Sequence, residues 1–193
     1  MENVWNAALW PQFGAALDML ENAIAACPAT LWTERVWPHP PEAASPPDPD
    51  DDPLPERFSE FWYVAYHALL WTDAYLTGDL HSFTPPAPLS LAEMDSSSPQ
   101  PAQPYTPAEA REYLAYVRQK GRAALDELSS ERAGQPFEFP WEPGKPISYL
   151  ELQLYNLRHV QEHAAQLALF LGQRAVPEVP DWVMWTQEDP NRE

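Results

Sequence analysis

The chain has 193 residues, 45% of them apolar and nine of them tryptophan, enough to bury a core as one domain. Its formal charge is −18, from 29 acids against 11 lysines and arginines. That balance leaves too few cations for a phosphate-binding face and opposes adsorption to anionic lipid, so nucleic acid and membranes are not expected partners.

The single cysteine, Cys27, rules out an intramolecular disulfide framework and fits a reducing, cytoplasmic setting. The segment MENVWNAALW lacks a basic region followed by an apolar core, so no signal peptide is expected. No apolar run is long enough to span a bilayer. Twenty-four prolines against six glycines mark the loops by where they cluster.

In chain order, Leu9, Phe13, Ala16, Leu17, Leu20 and Ile24 recur at helical spacing and predict a first helix over Val4–Ala26. Pro11 marks a start or a kink within it, and Cys27-Pro28 ends it. Cys27 therefore falls at a helix C-terminus, where the dipole raises a thiol pKa and disfavours a nucleophilic role. PHPPEAASPPDPDDDPLP, residues 38–55, predicts a solvated acidic loop; it lacks the spacing and the glycine of an EF-hand. A second helix is predicted over Glu56–Leu76. It is apolar over most of its circumference, so it should be well buried, with Tyr63 and Trp71 in the core and Gly78 near its C-cap. The stretch Asp79–Tyr105, rich in Pro and Ser, is long enough to serve as the cover of an active site.

The third helix has a clear start. Thr106 sits at N-cap, Pro107 at N1 and Glu109 at N3, a capping box, and the helix is predicted to run to about Arg132. The fourth starts with Ser148 as N-cap and Glu151 at N3, and continues to Leu171, with Gly172 as the stop. No run alternates as a strand should. Four helices with long joins predict an all-α, antiparallel four-helix bundle: one domain with its core over residues 4–173 and a tail over 174–193.

The fourth helix carries RHVQEHAAQL, residues 158–167. His159 and His163 stand four apart and share one helix face, about 6 Å from each other, so they can chelate one ion. The best third ligand is His67, in the middle of the second helix, because bundles build metal sites from facing helices. Three neutral imidazoles leave an open position, the mark of a catalytic site, and would accept zinc, nickel, iron or copper. The competing reading is a pair of ordinary, hydrogen-bonded histidines. His39 and His81 lie in proline-rich loops and are weaker candidates.

HVQEH also fits the H-x-x-E-H pattern of inverted zinc peptidases. Such a site needs a further acidic ligand on a downstream helix, whereas Glu178 and Glu188 sit in Pro-broken sequence. Glu162 is turned about 100° from His163 around the helix, as expected of a solvated charge. The peptidase reading is set aside on these grounds.

One His in the middle of the second helix, then HxxxH followed by Gln on the last long helix, resembles the DinB/YfiT-like superfamily of four-helix-bundle metalloproteins. The first helix, closing on CPATLW, is similar to the Leu-Pro-x-x-x-Trp-like end common there. The Arg-Gly-Gln that often follows the second His is replaced by Ala164-Ala165-Gln166, which marks a divergent pocket. The resemblance implies that His67, His159 and His163 bind one divalent ion, commonly nickel or zinc. It also implies a homodimer, and a thiol-dependent S-transferase or related hydrolase that uses a low-molecular-weight thiol on a small-molecule electrophile. Gln166, one turn beyond His163, and Tyr155, one turn before His159, are the catalytic candidates. A non-enzymatic metal-binding stress-response or interaction protein is the alternative.

Overall fold

The computed structural model describes residues 4–37, 56–95 and 97–186. His39, the acidic run DPDDDP and Glu188 lie outside them. Five helices, α1 (Val4–Ala26), α2 (Phe61–Thr77), α3 (Pro107–Asp126), α4 (Ser130–Ala133) and α5 (Tyr149–Gln173), carry most of the structure. A two-stranded antiparallel ribbon, β1 (Pro136–Phe137) with β2 (Ile147–Ser148), precedes α5.

The four long helices pack in adjacent pairs, α1 and α2 each resting on both α3 and α5. One apolar cluster joins them, with Leu17, Phe61, Leu69, Leu114 and Leu152 all but sealed from solvent. Each such side chain contributes about 1.5–3 kcal/mol on leaving water.

Contacts between the helices fix their directions. Along α5, Tyr149, Gln153 and Asn156 donate in turn to the carbonyls of Leu76, Tyr75 and Thr72, so α5 runs antiparallel to α2. Arg118 of α3 pairs with Asp18 of α1 at 2.7 Å and Arg122 lies over Trp10, so α1 and α3 are also antiparallel. α2 and α3 run the same way. Tyr105, just before α3, packs on Trp62 and Tyr66 near the start of α2, whereas Gly121 lies against Leu76 near its end. The order of directions is therefore up, down, down, up.

Two parallel neighbours need a return path. The segment between α2 and α3 must climb back along a 17-residue helix, about 25 Å. It is pinned on the way. The Tyr66 hydroxyl donates to the Ser90 carbonyl, Ser90 N–H donates to the Tyr105 hydroxyl at 2.9 Å, and Ser90 Oγ donates to the Pro99 carbonyl at 2.7 Å. Trp32 Nε1 then fixes the Tyr105 carbonyl at 2.7 Å.

The predicted starts of α3 and α5 are where the caps placed them. Thr106 and Glu109 form both bonds of the capping box, and Ser148 Oγ accepts from Glu151 N–H at 3.1 Å. Gly78 closes α2 in the left-handed region at φ 74°. Other boundaries differ. α2 begins at Phe61 because Glu60 is extended and bridges to Arg35, leaving Glu56–Ser59 as a separate 3-10 turn. α3 stops at Asp126 rather than near Arg132, because Ser129 turns extended and caps the new helix α4 through Arg132 N–H. The short ribbon β1–β2 was not foreseen; two-residue strands carry no readable alternation. α5 passes through Gly172 and ends one residue later.

α1 passes through Pro11 without ending. The Pro11 carbonyl accepts from Thr186 N–H at 3.0 Å, and Gly14 leaves the space that the Thr186 side chain fills, 2.7 Å from where a Cβ would stand. The tail after α5 is thereby docked along α1.

Candidate metal centre

Antiparallel packing of α2 on α5 brings His67 against His159 and His163. One ligand atom from each lies within 4.8 Å of the others, and the ring centroids are 4.6–5.1 Å apart. The Nε2 atoms of His67 and His159 are 3.1 Å apart. Two imidazole nitrogens bound to one zinc at about 2.0–2.1 Å stand about 2.9–3.4 Å from each other across the usual ligand angles. The donor set therefore fits a single divalent ion.

Two of the three rings are fixed from behind. His163 Nδ1 and Gln166 Oε1 are 2.8 Å apart, and His67 Nδ1 is hydrogen-bonded to Glu93 Oε1. With Nδ1 engaged as donor, each ring keeps its Nε2 lone pair for a metal, the outer-shell arrangement typical of ligating histidines. His159 differs. Its Nδ1 is buried with no hydrogen-bond partner among the described residues, and the ring is held by packing edge-on to Tyr75.

Electrostatics favour the ligating form. Burial first, then the neighbouring imidazoles His163 and His67, push the His159 pKa down to about 2. His163 is lowered too, by burial and then by His67. Both rings are therefore neutral near pH 7, as metal ligation requires. Since the folded pKa values lie below the unfolded value, the metal-free protein takes up protons on unfolding in acid. Its stability should hold above about pH 6.5 and fall below it, by up to about 1.4 kcal/mol per pH unit for each histidine. Urea midpoints across pH 4–8 measure this, and His159→Ala should remove about one proton from the slope. An unchanged slope would contradict the assignment.

An aromatic ladder flanks the centre. Trp71 packs beside His67, and Tyr75 beside His159. Their rings continue outward through Phe139 and Tyr155 to Trp141, which is 54% exposed. Phe139 and Trp141 come from the segment linking β1 to β2.

Of the catalytic candidates, Gln166 touches the centre directly, through His163. Tyr155 packs edge-on to Tyr75, which in turn packs on His159. Trp71, read as core in sequence, is half-buried at the site and donates Nε1–H to Glu93 Oε1 at 3.0 Å. Tyr63 is core as expected. Cys27 is not among the clustered ligand atoms, and burial pushes its thiol up to about 12. His81 is exposed in its loop. Glu93 was not foreseen. Its signal was faint: one of the few acids in a segment already marked as a candidate cover.

No helix among the described residues is long and apolar enough to cross a membrane. No curated protein and no solved structure matches the chain. The family model of the DinB superfamily, however, matches residues 12–167, a span that holds all three histidines. On that match and on the centre its helices build, the chain belongs to the DinB superfamily.

Proposed function

We propose that the chain is a divalent-metal-dependent enzyme, a thiol-dependent S-transferase or a related hydrolase, with His67, His159 and His163 holding one nickel or zinc ion. The observation that carries this reading is the convergence of three imidazoles, two with Nδ1 already engaged. An ion in such a set supplies Lewis acidity and favours the deprotonated form of a thiol or water brought to it.

The chain's own residues do the rest. Burial keeps His159 and His163 neutral. Gln166 fixes the His163 ring through its carbonyl oxygen, and its amide nitrogen, with no partner among the described residues, is available to hold a substrate oxygen. The Tyr75–Phe139–Trp141 rings keep bulk water off one side of the centre. Tyr155, 40% exposed, offers a hydroxyl at the edge of that wall. In the transferase reaction the thiol sulfur bonds to the electrophilic carbon, the thiol proton goes to solvent, and any leaving group departs with its electron pair.

Thioether formation from low-molecular-weight thiols and varied electrophiles, with nickel- or zinc-loaded protein, tests the reading. A metal-replete protein that consumes no thiol and hydrolyses none of the electrophiles would overturn it. The second reading is a metal-binding interaction protein, and the exposed Leu169, Trp182 and Met184 favour it. We take a second copy of this chain as the first partner to test, by sedimentation.

A further inference from the structure

We infer that Glu93 is a positioning residue for the metal centre, and that docking of the segment between α2 and α3 is coupled to metal binding. The inference rests on the metal reading above. His67 is the one ligand contributed by α2, and its side chain is 30% exposed. A half-open imidazole is free to flip and present the wrong ring atom unless an outer partner fixes it. Glu93 is that partner, and it arrives from the long return segment rather than from a helix.

The segment is built to deliver this carboxylate. Ser90, three residues earlier, is held by Tyr66, Tyr105 and Pro99. Immediately after it, the Leu91 carbonyl accepts from Met94 N–H at 2.8 Å and Asp95 N–H at 2.9 Å, forming a tight turn that turns Glu93 inward. There Oε1 meets both His67 Nδ1 and Trp71 Nε1.

The second carboxylate oxygen supplies an independent observation. Glu93 Oε2 is buried with no hydrogen-bond partner among the described residues, in a side chain only 12% exposed. A carboxylate largely removed from water and half satisfied is unfavourable by itself. A cation bound by the imidazole on which Glu93 rests offsets that cost. The docked segment is therefore favoured by metal. Because coupling between two binding equilibria is reciprocal, metal binding is favoured by the docked segment to the same degree.

The experiment uses the full chain and zinc ion alone. Zinc affinity is measured by chelator competition for wild type, Glu93→Gln and Glu93→Ala, with hydrogen exchange over residues 84–105 with and without zinc. Glu93→Ala should bind zinc about 10–100-fold more weakly. Glu93→Gln, which keeps an acceptor for Nδ1–H but loses the charge, should fall between. Zinc should slow exchange in 84–105 of the wild type and leave Glu93→Ala unchanged. If Glu93→Ala lowers only the melting temperature and binds zinc like wild type, Glu93 is structural and the inference fails, while the metal reading stands. Unchanged wild-type exchange on zinc binding overturns the coupling. If wild type binds no zinc, the metal reading falls and takes this inference with it. Should Glu93→Ala not fold, the near-isosteric Glu93→Gln decides.

Discussion

On the proposed reading, His67→Ala is expected to abolish stoichiometric binding of a divalent ion, and with it the rise in melting temperature expected when the wild type binds that ion. His67 is the only one of the three ligands on α2, so its loss leaves an i,i+4 pair on α5, a weak chelate open to water. A ligand that binds only the folded state at 1,000 times its Kd adds about 4 kcal/mol. In a chain of this size that is about 8–16 °C in melting temperature. Metal analysis of the purified variants and thermal scans with and without added ion measure both effects. Without metal the variant should still lose about 1–3 kcal/mol, since it takes away the partner of the Glu93 carboxylate. If alanine at all three positions leaves metal content unchanged, the centre is not where the ion binds.

Asp73→Ala should cost about 3–5 kcal/mol, the scale for removing one partner of a buried ion pair. Asp73 is fully buried on α2. Lys120 Nζ lies 2.5 Å from Asp73 Oδ1 and also donates to the Asp73 carbonyl and to Thr77 Oγ1, while the Tyr113 hydroxyl donates to Asp73 Oδ2 at 2.9 Å. Removing the carboxylate leaves a half-buried ammonium and a buried hydroxyl without their acceptor. Lys120→Met should cost a similar amount by stranding the carboxylate. The double change Asp73→Leu, Lys120→Met should recover most of the loss, since an apolar replacement of a buried pair is often neutral. Urea unfolding of the wild type, Asp73→Leu, Lys120→Met and the double variant gives the coupling. A double variant as unstable as the sum of the singles would show that the two groups act independently.

Much of this arrangement was legible in the sequence, for local reasons. Helix starts were written in Thr106–Glu109 and Ser148, because a cap is a contact between residues three apart. The histidine triad followed from one i,i+4 pair and one histidine in the middle of an apolar helix, because α2 and α5 are apolar enough to be bundle helices. Glu93 was not legible. Its partner is fixed by the path of an irregular segment, and such a path depends on scattered anchors such as Tyr66–Ser90 that have no periodicity. The end of α3 was misplaced for a related reason. Glu131, Arg132 and Ala133 continue the helical composition of α3, and the extended backbone at Ser129, which caps α4, separates the two helices. The role of Trp71 depended on Glu93, so one unseen residue hid the other.

The up, down, down, up order of the helices has a consequence for how the chain reaches its folded state. The pairs that join α5 to α2 are 73, 78, 84 and 92 residues apart in sequence, the last being the two facing histidines. Loop-closure entropy must be met before such pairs gain anything, so a bundle wired in this way forms more slowly than one with hairpin-linked neighbours. The three histidines come together only once α5 has docked on α2. An ion held by groups this far apart in sequence should act as a lock on the packed α2–α5 pair rather than as a seed for it, with its main kinetic effect on the rate of unfolding.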